Sequence, residues 1–298
     1  MGVPAMTSEK SLPYGEGRFV SDDGLSLWYK VSGQGPALLV PTPGWGASSD
    51  QHMKSMTSLE KDFTLIYFDT RGSGRSEAPK KDSGYAFGLF LDDLETLRLR
   101  LHLDHWLIFA HSAASSQAMA YAIKYAKACR GLFIVDGTAN IDDEEYEHDL
   151  AARMKKLSHK PWFAAAKKAS NADPKSDKEF RDGFINDALP LYFASAEAAQ
   201  KARHFFLEST YRVKALKYND NVPEFTPNWL ALIRAPTAIF EGDLDVITTP
   251  LEARRLHHGI ANSKLFTIKG AGHFPWLQQP EKFFKNFAKA ALKILGAP

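Results

Sequence analysis

Cysteine is almost absent: the 298 residues contain one, Cys129. A single thiol excludes an intrachain disulfide and any metal site built from several cysteines, and it fits a reducing compartment. Within KYAKACRG it reads as an inert packing group. An excess of one charge is also lacking, since 37 basic and 35 acidic side chains leave a formal net charge of +2. That balance argues against a nucleic-acid footprint or a polybasic membrane surface, and a small molecule is the expected partner. No apolar run approaches the ~20 residues of a membrane span. MGVPAMTSEK has no basic region followed by an apolar one, so no secretory signal is expected and the cytoplasm is the default compartment. Internal repeats and low-complexity tracts are missing too. Residues 1–14 read as a frayed tail, and nothing in the chain fixes an oligomeric state.

What is present is an alternation. With 44% hydrophobic and 24% charged residues, the chain has room for one large core and a second small one. GRFVS and LSLWYKVS flank Asp-Asp-Gly and read as an antiparallel hairpin. ALLVP, TLIYFD, HWLIFA, GLFIVD, TAIFEGD and KLFTIKG are short apolar runs that end in polar or glycine-bearing turns, the pattern of buried strands. Between them lie FGLFLDDLETLRLRLHLD, SSQAMAYAIKYAKA, TPLEARRLHH and PEKFFKNFAKAALKIL, whose apolar spacing is helical. This is an α/β chain with a mostly parallel sheet. From about 138 to 232 the rhythm stops and charged helical segments with scattered aromatics take over. The expected organisation is a core over 1–137 and 233–298 and a helical insertion over 138–232.

Open α/β sheets place ligands at the carboxyl ends of their strands. The segments there are PTPGWGASSD, DTRGSGRSE, HSAASS, EGDLDVITTP and KGAGHFPW. In this order they resemble the α/β-hydrolase fold, in detail the branch of proline iminopeptidases and related esterases and lactonases, from about Gly17 to Leu295. DTRGSGRSE is close to that family's D-x-R-G-x-G-x-S loop, EGDLDVITTP to its acid segment and GAGHFPWLQQPEKF to its histidine segment. The resemblance implies an eight-stranded, mostly parallel sheet flanked by helices, with a helical cap after the sixth strand.

It also implies a Ser-Asp-His triad in that chain order, here Ser112, Asp245 and His273. Ser112 departs from the usual elbow G-x-S-x-G, because Ala110 and Ala114 stand where glycines relieve the strained strand-to-helix turn. Alanine is the smallest Cβ-bearing substitute, so a positive φ is still expected at Ser112, with both alanines tightly packed. Two rivals to Asp245 are Asp243 and Asp136, the latter after the sixth strand in FIVDG. His111 reads as a packing residue, and Asp69 and Arg71 as braces of a glycine turn. An acyl-transfer site also needs oxyanion donors. The N–H of Ala113 is one; the other is Trp45, or Gly44, in a loop whose Pro41 and Pro43 have no N–H to give. The Trp45 ring is a second expected wall of the acyl pocket.

The implied activity is hydrolysis through an acyl-enzyme, with no metal or organic cofactor. An aspartate in place of Ser112 would mark epoxide hydrolase or dehalogenase chemistry. The substrate is a small ester or lactone, the alternative being removal of an amino-terminal residue as in proline iminopeptidases. Those enzymes hold the substrate amine with cap carboxylates, and Glu144, Glu145, Asp182, Glu197 and Glu208 are available. The insertion is rich in aromatics, including Phe163 and Phe206. Trp162, Tyr192, Phe193 and Phe205, with Phe274 beside the histidine, are the expected pocket lining. A non-catalytic receptor on the same fold is the remaining rival.

Overall fold

The computed structural model describes residues 12–220 and 222–296, so most of the expected tail lies outside the described residues. Eight strands form one sheet: β1 (Gly15–Val20), β2 (Ser26–Gly33), β3 (Ala37–Pro41), β4 (Thr64–Phe68), β5 (Trp106–His111), β6 (Cys129–Val135), β7 (Thr237–Gly242) and β8 (Ser263–Ile268). Their spatial order is β1-β2-β4-β3-β5-β6-β7-β8. The β1–β2 and β2–β4 pairings are antiparallel, and the rest are parallel. The hairpin expected around Asp-Asp-Gly is the β1–β2 pair.

Alternation along the central strands buries both faces of this sheet. In β5, Trp106, Ile108 and Ala110 join one core cluster, while Leu107 and Phe109 join the other. The first cluster is covered by α2 (Phe87–Arg100), α3 (Ala114–Lys124) and α10 (Pro250–Gly259). The second lies under α1 (Asp50–Ser55) and α12 (Pro280–Leu295), preceded by the short α11 (Pro275–Gln278). Helix α12 buries Phe283, Phe287, Ala290 and Ala291, an i, i+4, i+7, i+8 stripe. Each fully buried Leu, Ile or Phe on these faces contributes about 1.5–3 kcal/mol. Cys129 is buried at the start of β6, and burial pushes its thiol up to about 12, so it remains an unreactive thiol.

Between β6 and β7 the described residues form helices and turns: α4 (Glu144–Leu157), α5 (Phe163–Ser170), α6 (Asp177–Gly183), α7 (Ala196–Ala202), α8 (Val213–Leu216) and α9 (Pro227–Leu230). Three begin on side-chain caps, with Asp143, Ser176 and Ser195 accepting from the N–H groups of Tyr146, Glu179 and Ala198; such caps are worth about 1 kcal/mol each. The chain rejoins the first core before β7. Phe225, Leu230 and Ile233 already pack in it.

Candidate active site

The turn from β5 into α3 places Ser112. Its φ is +56°, the left-handed region that an L-residue enters only under constraint. The constraint is visible on both sides. Ser112 N–H donates to Val135 O at 3.0 Å, extending the β5–β6 ladder, and Ser112 O accepts from Ser115 N at 2.9 Å, starting the helix. Ala110 and Ala114 are fully buried. Just past the end of β6 the packing is equally close: a Cβ built at Gly137 would lie 2.8 Å from Ser115 Cβ and 2.3 Å from Ile134 Cγ2.

Two further loops converge beside this turn. After β8, His273 is buried, and its Nδ1 lies 2.8 Å from Asp245 Oδ2. The carboxylate accepts, so Nδ1 carries the proton and Nε2 holds the lone pair. Asp245 Oδ1 accepts from Ile247 N at 2.8 Å. Thr248 Oγ1 lies 2.9 Å from Asp245 Oδ2, 2.8 Å from Asp136 O and 3.3 Å from His273 Nδ1, tying the acid and histidine loops to the end of β6. Thr248 was not singled out in the sequence.

Glycine makes the convergence possible at two places. A Cβ at Gly242 would meet Gly272 O at 2.2 Å, and one at Gly272 would meet Tyr192 O at 2.9 Å. The histidine loop is therefore held between β7 and the insert, and His273 N–H donates to Tyr192 O at 2.9 Å.

The rival acids have other partners. Asp243 Oδ1 accepts from Gly270 N at 2.7 Å and closes the histidine turn. Asp136 Oδ1 accepts from Gly242 N at 2.8 Å. His111 Nε2–H donates to His273 O at 2.8 Å, with its ring 4.6 Å from that of His273 and 4.7 Å from that of Trp276. Burial first, then the nearby His273 and His52, hold the His111 imidazole well below its ordinary range; it is a neutral packing group that carries the histidine loop.

Arg71 and Asp69 brace loops, as their glycine-turn context implies. Buried Arg71 makes two 2.7 Å bonds to Asp93 and others to Asp23 and Gly84 O. Asp69 accepts from Ser49 N at 2.7 Å and Arg75 N at 2.8 Å. In the Pro41–Gly46 loop, Gly46 N–H is engaged by Ser73 Oγ at 2.7 Å. The Trp45 ring stacks on Phe90 with centroids 4.3 Å apart, in a cluster with Tyr85 and Ala215. It packs against α2 and α8.

Of the expected pocket aromatics, three gather at His273. Tyr192 meets its ring edge-on at 5.5 Å, Phe274 lies at 5.5 Å, and Phe193 stacks on Phe274 at 5.4 Å. Phe206 completes this group, 5.1 Å from Phe274 and 5.8 Å from Phe184. Phe205 instead faces a surface groove with Ser195, Lys201 and Leu277, because the short turn Arg203–Phe205 presents successive residues to different sides. Trp162 packs with Phe163, Leu191 and Val246, between the insert and the acid loop. The five insert acids are exposed or ion-paired. Glu144 is exposed, and Glu145, Asp182, Glu197 and Glu208 pair with Arg255, Lys178, Lys201 and Lys54.

Comparison with known proteins agrees with this architecture. A proline iminopeptidase from Saccharolobus solfataricus is 24% identical over 88% of this chain and 87% of its own length. An esterase from Rhodococcus sp. ECU1013 superposes with a TM-score of 0.71 at 20% identity, covering 92% of this chain and 98% of that one. An enol-lactonase from Burkholderia xenovorans LB400 gives 0.67 at 19% identity, covering 94% of this chain and 100% of that one. The model of the alpha/beta hydrolase fold family matches residues 37–280. With most of its length inside that match and its strand order and loops as described, the chain belongs to the alpha/beta hydrolase fold family.

Proposed function

We propose that the chain is a serine hydrolase that cleaves a small ester or lactone through an acyl-enzyme on Ser112. The observation that carries this reading is the buried 2.8 Å contact of His273 Nδ1 with Asp245, set against a serine at positive φ on the adjoining strand end. Asp245 holds the imidazole so that Nε2 is the base. Nε2 takes the hydroxyl proton as Ser112 Oγ attacks the acyl carbon, then passes it to the departing alkoxide. Water repeats both steps on the acyl-enzyme. The oxyanion is bound by the N–H of Ala113, aided by the positive end of α3, and by a second N–H from Trp45 or Gly44. These steps use side chains and backbone N–H groups alone. In the same reading the helical segment between β6 and β7 is a cap, whose Tyr192, Phe193 and Phe206 present an apolar wall to the substrate.

Esters and lactones are favoured because an aminopeptidase requires a carboxylate facing the substrate amine, and the insert acids weighed above are exposed or ion-paired. The names of the Rhodococcus and Burkholderia proteins agree with this class. The Saccharolobus relative's name supports the second reading, an aminopeptidase. A fluorophosphonate is expected to label wild-type protein stoichiometrically at Ser112. Aryl esters or lactones should then be hydrolysed by wild type and neither by Ser112→Ala nor by His273→Ala. Turnover of aminoacyl arylamides alone selects the second reading, and equal rates in all three proteins sink both.

A further inference from the structure

Asp136, at the carboxyl end of β6, has no part in the mechanism above, yet its backbone is strained to reach the site. Its φ is +43°, and the residue is buried. An oxygen of its carboxyl and a nitrogen each of His111 and His273 lie within 4.8 Å of one another. One oxygen, Oδ1, accepts from Gly242 N at 2.8 Å. The other, Oδ2, is buried and meets no N–H or O–H donor among the described residues. The Asp245 carboxyl is its neighbour: the Thr248 hydroxyl spans Asp136 O at 2.8 Å and Asp245 Oδ2 at 2.9 Å, and the charge of Asp245 acts on the Asp136 acid.

Two acid groups in buried contact cannot both be ionised. The partners decide which one keeps the charge. Asp245 accepts from Ile247 N and from His273 Nδ1–H, whereas Asp136 has one backbone donor. Burial above all, then the charges of Asp245 and Glu241, holds the Asp136 carboxyl well above its usual range. The other titratable groups near it are His273 and the neutral His111.

We propose that Asp136 is held as the neutral carboxylic acid and donates its Oδ2–H to the Asp245 carboxylate, making it a positioning residue for the Asp245–His273 pair. The Thr248 hydroxyl has one proton for two oxygens, so it can serve the Asp136 carbonyl while the Asp136 acid supplies a third donor to Asp245, beside Ile247 N–H and His273 Nδ1–H. This inference rests on Asp245 being the acid of the triad.

The test compares Asp136→Asn, Asp136→Leu and Asp245→Asn on an aryl ester and in fluorophosphonate labelling across pH. Asparagine keeps a neutral donor facing Asp245, so kcat should fall by no more than about fivefold. Leucine removes the donor and should lower kcat about 10²-fold with KM little changed, the scale of a misplaced catalytic group. In the leucine variant Asp245 keeps more of its charge for the imidazolium, so the acid limb of kcat/KM moves to higher pH; in the asparagine variant it stays in place. A purely structural role would not move that limb. If Asp136→Asn is as damaged as Asp245→Asn, a charge is needed at 136 and the proposal fails. If Asp245→Asn is active while Asp136→Asn is not, the triad reading itself has failed, because Asp136 is then the orienting acid. A carbon-13 carboxyl titration decides without any turnover: Asp136 protonated at pH 7 is the expected result, and Asp136 ionised there overturns the proposal even if no ester is hydrolysed.

Discussion

Charge is handled in opposite ways at the strand ends and in the helical insert. At the strand ends the pairs are buried and multiply bonded: Arg71 with Asp93 at side-chain exposures of 1% and 2%, and His273 with Asp245 at 2% and 0%. In the insert, Lys178–Asp182 and Lys201–Glu197 run along helix surfaces in water. A buried pair that loses one member leaves an uncompensated charge, whereas an exposed pair loses little. The first region therefore braces the loops at the strand ends. The second keeps a helical layer solvated while its apolar side, through Tyr192, Phe193 and Phe206, meets the site.

The comparison breaks first, and hardest, at Ser112. Ser112→Ala should lower kcat on a responsive ester by about 10⁴–10⁶-fold with the fold intact, measured as turnover beside a circular dichroism melt. A loss under tenfold would mean that the strained turn is not the reacting centre. Next comes the acid. Asp245→Asn favours the wrong imidazole tautomer and should cost about 10⁴-fold in kcat, while Asp243→Asn, which only loosens the Gly270 turn, should cost under about tenfold. Reversed magnitudes would move the triad acid to the other end of that loop.

Much of the first region was legible in the sequence because its determinants are local. Strands β3 to β8 announce themselves as apolar runs, and each loop of interest follows one directly. The Ser112 turn was readable only in part: the flanking alanines broke the familiar glycine pattern, while one backbone bond that holds the turn comes from Val135 on the neighbouring strand, where pairwise spacing gives no sign of it. The bond from Thr248 to the Asp136 backbone was hidden because the two residues lie on loops more than a hundred positions apart, and the sequence shows Asp136 only as a rival acid, with no sign of its link to Asp245. In the insert the order of legibility reverses. Its acids were easy to see, and four of the five pair with lysine or arginine, while the choice between Phe205 and Phe206 depended on a three-residue turn with no period to read.

Stability sharpens the comparison further. Arg71→Met strands Asp93 and Asp23 without their guanidinium and should destabilise the protein by about 3–5 kcal/mol in denaturant unfolding. A smaller term comes from His52, buried against Phe109 and Trp276 with neither ring nitrogen in a well-formed hydrogen bond. Burial lowers its imidazole to about 4, only partly offset by the Pro41 backbone. The folded value lies below the unfolded one, so the stabilisation is complete above pH 6.5 and is lost as pH falls towards 4. The loss amounts to about 3 kcal/mol over that window. His52→Leu should flatten the stability profile there, and an unchanged slope would place the acid sensitivity elsewhere.

The smallest effect expected is the most diagnostic of the insert. Lys178 and Asp182 sit one helical turn apart on α6 with side-chain exposures of 86% and 37%. Their Coulomb attraction is screened by water and salt, and holding two long side chains together opposes it with lost rotamer freedom. A double-mutant cycle over Lys178→Ala and Asp182→Ala at physiological ionic strength should give a coupling indistinguishable from zero, with ester turnover unchanged. The same cycle over Arg71 and Asp93 should give a large one. A strong Lys178–Asp182 coupling that survives high salt would show that the insert is held by its ion pairs after all. The division between charge-braced strand-end loops and a merely solvated helical layer would then fall.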